Sequence, residues 1–126
     1  MKILFICQHN VFRSQVAEAY FNQINKTEHT CTSGGIFSGI QIPKEVMEYA
    51  KTEGVEIKGS PKGITTKQLR KTDLIIFVTE DYKEIVSKTI FKGKIEVWNI
   101  CDYPIKPRDE IIKQIKLKVE DLVKRI

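Results

Sequence analysis

The sequence predicts an α/β fold, a single three-layer domain with helices on both sides of a four-stranded parallel sheet. Two observations carry this prediction. Short apolar runs alternate with helical patterns along the chain, and 126 residues are enough to bury the core of one domain without metals or disulfides. Because crossover connections are right-handed, strands that alternate with helices run parallel in a doubly wound sheet. We expect the strand order 2-1-3-4 and one domain over residues 1–126.

Each element has its own sequence pattern. The first and third strands read ILFI and LIIFVT, which are the continuous apolar runs of strands covered on both faces. Pro43 suits the first turn of the second helix, and Gly54 suits its C-terminal cap. The predicted strands are residues 3–6, 28–33, 74–79 and 95–100. The predicted helices are residues 13–24, 43–54, 66–70, 82–93 and 108–125.

Composition narrows the class of partner. The chain has 21 Lys and Arg against 16 Asp and Glu, a net charge of +5 that suits an anionic substrate. The lysines are scattered over several helices, so nucleic-acid binding is not expected. Three cysteines without framework spacing indicate a reducing compartment, and no histidine or cysteine spacing predicts a metal site. No apolar stretch is long enough for a signal peptide or a membrane span, so we expect a cytoplasmic protein with no membrane partner.

The loop between the first strand and the first helix carries the candidate chemistry. Cys7 ends the strand, Arg13 begins the helix, and Ser14 follows, which gives a Cys-x5-Arg-Ser unit. Unpaired N–H groups at such a helix start attract an anion, and the same field favours the thiolate form of a cysteine. The planar fork of Arg13 can hold two oxygens of a tetrahedral oxyanion, while Ser14 can donate a hydrogen bond to sulfur. A buried small side chain at Cys7 and an ordinary helix start at Arg13 are the alternatives.

The segment CQHNVFRSQVAEAYFN resembles the low-molecular-weight protein tyrosine phosphatases and the arsenate reductases of the same fold, especially the reductase-like branch. The resemblance continues through residues 32–36, 43–59, 61–65, 72–83 and 97–104. It implies a flavodoxin/Rossmann-like low-molecular-weight phosphatase fold with a phosphate-binding loop. The implied loop residues are Cys7, Gln8, His9, Asn10, Val11, Phe12 and Arg13, followed by Ser14.

The resemblance also implies individual roles. Cys7 would be the nucleophile, Asn10 would hold a left-handed turn in the loop, and Asp102 would be the general acid. The family's acid is usually followed at once by proline, whereas Tyr103 intervenes here, so a simple turn residue is the alternative for Asp102. Phe37 and Tyr103 are candidates for a wall along the substrate, and Phe37 suits plain packing equally well.

The expected function is that of a cysteine-dependent phosphatase that hydrolyses phosphotyrosine or other phosphate monoesters through a phosphocysteine, without a cofactor. Its partner would be a phosphorylated protein or a small phosphate ester. The alternative is an arsenate reductase that uses Cys7 with an external thiol reductant, or with Cys101 as a second thiol; Cys31 suits a packed core position. The stretch TEDYKEIVSK lacks the cysteine relay of thioredoxin-coupled reductases. A third interpretation is a non-catalytic oxyanion-binding module.

Overall fold

The computed structural model describes residues Met1–Ile126 and contains one parallel sheet of four strands. The strands are β1 (Lys2–Cys7), β2 (Thr30–Gly35), β3 (Leu74–Phe77) and β4 (Lys94–Val97). They lie in the order β2-β1-β3-β4, which confirms the predicted order. β1 is central, and its residue Phe5 lies opposite Ser33 of β2 and Ile76 of β3.

Four helices complete the fold: α1 (Arg13–Ile24), α2 (Lys44–Thr52), α3 (Thr66–Arg70) and α4 (Arg108–Arg125). The predicted bounds of α1, α3 and α4 agree with these, and α2 is slightly shorter than predicted. Gly54 follows α2 with a φ of 79°, a left-handed conformation that glycine adopts without strain. None of the helices combines the length and the apolar character needed to cross a bilayer.

Alternate side chains of β1 enter two separate hydrophobic cores, so the sheet is the middle of three layers. Ile3 and Phe5 belong to the larger core, which lies against α1, α2 and α4. Leu4 and Ile6 belong to the smaller core on the opposite face. The smaller core is completed by Leu69, Ile75, Phe77, Val86 and Phe91. Burial on both faces explains why β1 reads as a continuous apolar run.

The helix predicted over residues 82–93 is wrong. The segment contains only a 3₁₀ turn, Lys83–Ile85, and Val86 after it is extended. Val86 and Phe91 are buried in the smaller core, so tertiary contacts hold this segment without helical periodicity. An isolated helix this short is marginal, because its first turn fixes several dihedral angles for a single hydrogen bond.

The strand ends also differ from the prediction, in ways that shape the edge of the sheet. β2 starts later than predicted and includes both glycines of its end, whereas β3 and β4 stop earlier. Backbone pairing nevertheless continues past them: Val78 N–H donates to the Ile6 carbonyl at 2.9 Å, and Ile100 N–H donates to the Val78 carbonyl at 3.0 Å. The chain after β4 therefore stays close to the end of β1.

Candidate active site

Cys7 lies where β1 ends, at the carboxyl edge of the sheet, and only 3% of its surface is exposed. Its Sγ is 2.8 Å from Ser14 Oγ, in the first turn of α1. The Ser14 hydroxyl also accepts a hydrogen bond from Asn10 Nδ2 at 2.7 Å. Because Ser14 Oγ already accepts that bond, its own proton is free to point at the sulfur, a geometry that stabilises a thiolate.

Asn10 forms the centre of the loop between β1 and α1. It is fully buried and has a φ of 58°, which asparagine tolerates better than most residues. Its Nδ2 donates to Ser14 Oγ and to Ser33 Oγ, the latter at 3.0 Å. Its Oδ1 accepts from Gln15 Nε2 at 2.9 Å and from the Lys62 backbone N–H at 3.1 Å. The side chain therefore ties the loop to β2, to α1 and to the segment before α3.

Gln15 is a supporting residue that the sequence analysis did not single out. It is 1% exposed, and its Nε2 also approaches the carbonyls of Asn10 at 3.2 Å and Ser60 at 3.1 Å. Its Oε1 makes no hydrogen bond and faces Gly59, where an added Cβ would lie 2.7 Å from it. The Arg-Ser-Gln string was visible in the sequence, but the partner at Ser60 is 45 positions away.

The backbone of the loop provides a cradle for an anion. None of the N–H groups of residues 8–12 donates a hydrogen bond to another group of the protein. The first N–H groups of α1 also lack intrahelical acceptors, as at every helix start. The N–H groups that follow Cys7 are therefore available to an anion, as at the helix N-termini that bind phosphate.

The segment after β2 holds the other side of this loop. Phe37 N–H donates to the Gln8 carbonyl at 2.9 Å, and Gly39 N–H donates to the His9 carbonyl at 2.9 Å. Gly35 permits this approach, because a Cβ there would overlap the Phe37 carbonyl and lie 2.8 Å from the His9 carbonyl carbon. The Phe37 ring is exposed and lies 6.0 Å from the His9 ring, so it flanks the loop and is not part of the core.

Arg13 connects the loop to the segment after β4. Its side chain is buried, and its Nη1 donates to the Ile100 carbonyl at 2.8 Å. Its Nη2 lies 3.4 Å from Asp102 Oδ2, a long contact for an ion pair. The Asp102 side chain is 49% exposed, which leaves room for it to move toward a bound substrate.

Asp102 faces Arg13 and also forms a turn, so both interpretations of this residue describe part of its geometry. Its Oδ1 accepts from the Tyr103 N–H at 2.9 Å, and its carbonyl accepts from the Ile105 N–H at 3.0 Å. The Tyr103 ring is exposed next to it. The sequence-predicted residues Cys7, Arg13 and Asp102 thus come together at one edge of the sheet.

Tyr82 lies after β3, in the segment that was predicted as a helix, and its ring packs against Phe77 with 6.4 Å between the ring centroids. A hydrogen bond to Glu80 raises the pKa of Tyr82, burial and the Glu80 charge add to this rise, and the positive charge of Arg13 opposes it. The sequence signal for Tyr82 was its place soon after the third strand, since the carboxyl ends of parallel strands lie at the same edge of the sheet.

Arg108 was also missed. It begins α4, and its guanidinium carbon lies 3.7 Å from the centroid of the Tyr103 ring. The same carbon is 5.8 Å from the Tyr49 ring. No sequence pattern predicts that α4 contacts α2 and the turn after β4.

The remaining cysteines lie elsewhere. Cys31 is half-buried against the larger core and pairs with Ile3 in the sheet, four positions before Cys7 along β1. Burial raises the pKa of Cys31 to about 12, with a further rise from Glu18 that Lys62 partly offsets. Cys101 is half-buried directly before Asp102. Cys31 suits a packing role, as predicted, and Cys101 is the thiol nearer to the candidate site along the chain.

Comparisons with known proteins agree on one family. The family profile described as "Low molecular weight phosphotyrosine protein phosphatase" matches residues 2–121. The Protein-arginine-phosphatase of Bacillus subtilis is 24% identical over 142 residues, covering 100% of this chain and 94% of that protein. Arsenate reductase 2 of Staphylococcus haemolyticus is 30% identical over 127 residues, covering 98% of this chain and 96% of that protein.

A solved structure gives the same result for the fold. The low molecular weight protein tyrosine phosphatase from T. tengcongensis has a TM-score of 0.86 at 22% identity, covering 100% of this chain and 99% of that one. At that identity the likeness concerns the fold alone, whereas the profile spans nearly the whole sequence. The chain belongs to the low molecular weight phosphotyrosine protein phosphatase family.

Proposed function

We propose that the protein hydrolyses phosphate monoesters, phosphotyrosine among them, through a covalent phosphocysteine at Cys7. One observation carries this proposal: the Cys7 sulfur lies 2.8 Å from Ser14 Oγ, inside a loop whose N–H groups at residues 8–12 have no protein acceptor. Phosphoryl transfer needs an in-line nucleophile and donors for the equatorial oxygens. The same loop supplies both.

In the first step the Cys7 thiolate attacks phosphorus, and the bond from phosphorus to the ester oxygen breaks. The loop N–H groups and the Arg13 fork hold the equatorial oxygens, whose charge grows in the transition state. Asp102 gives its proton to the departing oxygen. Its 3.4 Å separation from Arg13 Nη2 supports this role, since that places the carboxyl group beside the guanidinium that would hold the phosphate.

In the second step a water molecule attacks the phosphocysteine. Asp102, now ionised, takes the proton from the water, the sulfur–phosphorus bond breaks, and phosphate leaves with the Cys7 thiolate restored. The exposed position of Asp102 supports this exchange of roles, because its carboxylate is open to solvent. No step calls for a second thiol.

Arsenate reduction is the second candidate, and the 30% identity to an arsenate reductase favours it. Arsenate is a tetrahedral anion that suits the same cradle, but the cysteine–arsenic adduct must then be attacked by another thiol. Residues 74–100 contain no cysteine, and Cys31 lies four register positions away from Cys7 in the sheet. Reduction would therefore depend on an external thiol or on Cys101, whereas hydrolysis depends on neither.

The deciding experiment compares substrates on one purified sample. p-Nitrophenyl phosphate, a phosphotyrosine peptide and a phosphoarginine peptide are assayed for phosphate release, and arsenate is assayed for reduction with thioredoxin or a small thiol. We expect aryl phosphate and phosphotyrosine hydrolysis that Cys7→Ser removes and Cys101→Ser leaves. Arsenate reduction without ester hydrolysis would overturn the proposal, and phosphoarginine as the preferred substrate would revise its substrate class.

We also propose that residues 1–126 act as one domain in the cytoplasm. A single sheet shared by both cores supports the first point. A reducing compartment suits the second, because the mechanism needs Cys7 as a free thiol.

A further inference from the structure

We propose that Arg108 is a specificity-determining residue that binds a carboxylate next to the phosphorylated side chain of a protein substrate. This inference rests on the proposed function and names its substrate class: an acidic phosphorylated segment of a protein. Nothing in the Cys-x5-Arg-Ser unit requires such a residue, and Arg108 lies 95 positions after Arg13.

The first observation is the way Arg108 is held. Its guanidinium lies over the Tyr103 ring with 3.7 Å from Cζ to the ring centroid, and the Tyr49 ring is 5.8 Å away. A guanidinium stacked in this way uses its flat face for the aromatic contact. Its N–H donors lie in its plane, around its edge, and so remain available to a ligand.

The second observation is that this charge has no partner within the protein. Arg108 makes none of the salt bridges in the structure and donates no side-chain hydrogen bond, although Asp109 and Glu110 follow it directly. Arg125 shows the contrast, since its fork holds Glu96 with two contacts of 2.6 and 2.7 Å. Arg108 is a half-buried cation whose guanidinium donates to no acceptor of the protein. A carboxylate matches that fork in shape and charge.

The third observation is its position relative to the candidate active site. Arg13 Nη2 is 3.4 Å from Asp102, and Asp102 Oδ1 accepts a hydrogen bond from the Tyr103 N–H at 2.9 Å. The Arg108 guanidinium lies over the Tyr103 ring. Arg13, Asp102, Tyr103 and Arg108 therefore form one continuous run of contacts. We expect the part of the substrate next to the phosphate to follow this run, so that an acidic residue one or two positions away meets Arg108.

The surface around Arg108 favours a polypeptide over a small ester. Tyr49, Tyr103 and Ile105 are all exposed there, and Ile105 is 79% exposed. Exposed apolar side chains around a cation give a protein segment contacts on both sides of its charged residue. A small phosphate ester has no second group to place there.

The test uses two phosphotyrosine peptides that differ only in having Asp or Asn beside the phosphotyrosine. For the wild type we expect kcat/KM to be about tenfold higher for the Asp peptide, the gain of one charge-assisted hydrogen-bonded pair. The gain is expected mainly in KM, because the carboxylate is bound equally before and during the reaction. In Arg108→Gln the ratio of the two peptides should fall to about one.

Two further variants separate this role from simpler ones. Lys106→Gln removes a positive charge two positions before Arg108 and should keep the wild-type ratio. Arg108→Lys keeps the charge but not the fork, so its ratio should be intermediate; it also replaces Arg108→Gln if that variant does not fold. A wild-type ratio near one would overturn the inference. So would equal losses on both peptides in Arg108→Gln, or a loss in Lys106→Gln as large as in Arg108→Gln. Hydrolysis of p-nitrophenyl phosphate by the wild type reports the proposed function separately, because that ester carries no carboxylate.

Discussion

Asn10 and Asn99 have nearly the same unusual backbone conformation, with φ values of 58° and 55°, yet they are held in opposite ways. Asn10 is fully buried, and its side chain makes four hydrogen bonds. Asn99 is exposed, and its only hydrogen bond is that of its backbone N–H to the Thr79 carbonyl at 2.9 Å. The asparagine in the loop after β1 is therefore held by its buried side chain, and the asparagine in the segment after β4 by backbone pairing.

This difference matches the chemistry assigned to the two regions. The nucleophile and its anion cradle must be placed before the substrate arrives, because preorganised donors stabilise a transition state without rearranging. The acid meets leaving groups of different sizes and must also admit water. A buried Cys7 and a half-exposed Asp102 meet these two needs.

The largest expected effect is the difference between substituting Cys7, at the loop after β1, and substituting Cys101, in the segment after β4. Cys7→Ser should reduce turnover of p-nitrophenyl phosphate by a factor on the order of 10⁴ or more, because a serine hydroxyl is a far weaker nucleophile than a thiolate. Phosphate or vanadate binding should remain. Cys101→Ser should stay within about twofold of the wild type, since no step uses that thiol. Substantial hydrolysis by Cys7→Ser would move the nucleophile elsewhere.

Arg13→Lys tests the residue that joins the two regions. We expect kcat/KM to fall by about 10²- to 10³-fold, because a point charge cannot hold both a phosphate and the Ile100 carbonyl as the fork does. Arg70→Lys, at an exposed position, is the matched control. Rates near those of the wild type in Arg13→Lys would show that Arg13 only begins α1 and does not act in catalysis.

Asp102→Asn tests the segment after β4. The variant should slow alkyl phosphates by about 10²-fold and p-nitrophenyl phosphate far less, since p-nitrophenol leaves with little protonation. Equal losses on both esters would exclude Asp102 as the acid.

Paired glycine substitutions measure the structural contrast itself. Glycine keeps the left-handed conformation, so only the side-chain contacts are lost. Asn10→Gly leaves buried partners unsatisfied and should lower the free energy of unfolding by about 2–4 kcal/mol. Asn99→Gly should change it by less than about 0.5 kcal/mol. Urea unfolding of the two variants gives both numbers, and equal effects would remove the distinction between the regions.

A further small effect concerns β4, whose Glu96 is joined to α4 by an ion pair of partly exposed side chains. Hydrogen bonds from Arg125 lower the pKa of Glu96, with burial opposing and the Arg125 charge adding. Glu96→Gln should therefore cost less than about 1 kcal/mol at pH 7, as exposed ion pairs do. A lowered pKa means that this stability is present above the unfolded-state pKa and is lost as pH falls through the folded-state value. The difference between the variant and the wild type should vanish in acid, whereas the cost of Asn10→Gly should persist.

Sequence patterns predicted the elements whose cause is local. β1 and α1 follow from an apolar run and a helical period, and the parallel direction of the strands follows from the alternation of elements. The prediction of a helix over residues 82–93 was wrong. The spacing of Val86 and its neighbours fits a helix, but the segment is held by contacts with the smaller core. The motif pointed to Cys7, Arg13 and Ser14. The Ser60 partner of Gln15 is 45 positions away, and no sequence pattern predicts that the Arg108 guanidinium stacks on the Tyr103 ring.

Trapping the covalent intermediate shows directly whether Cys7 is the nucleophile. The protein is mixed with p-nitrophenyl phosphate, quenched within milliseconds, digested, and its peptides are weighed. We expect phosphate on the peptide that contains Cys7 in the wild type, accumulating with the first release of p-nitrophenol. Phosphate on another residue, or release of p-nitrophenol at an undiminished rate by Cys7→Ser, would contradict it.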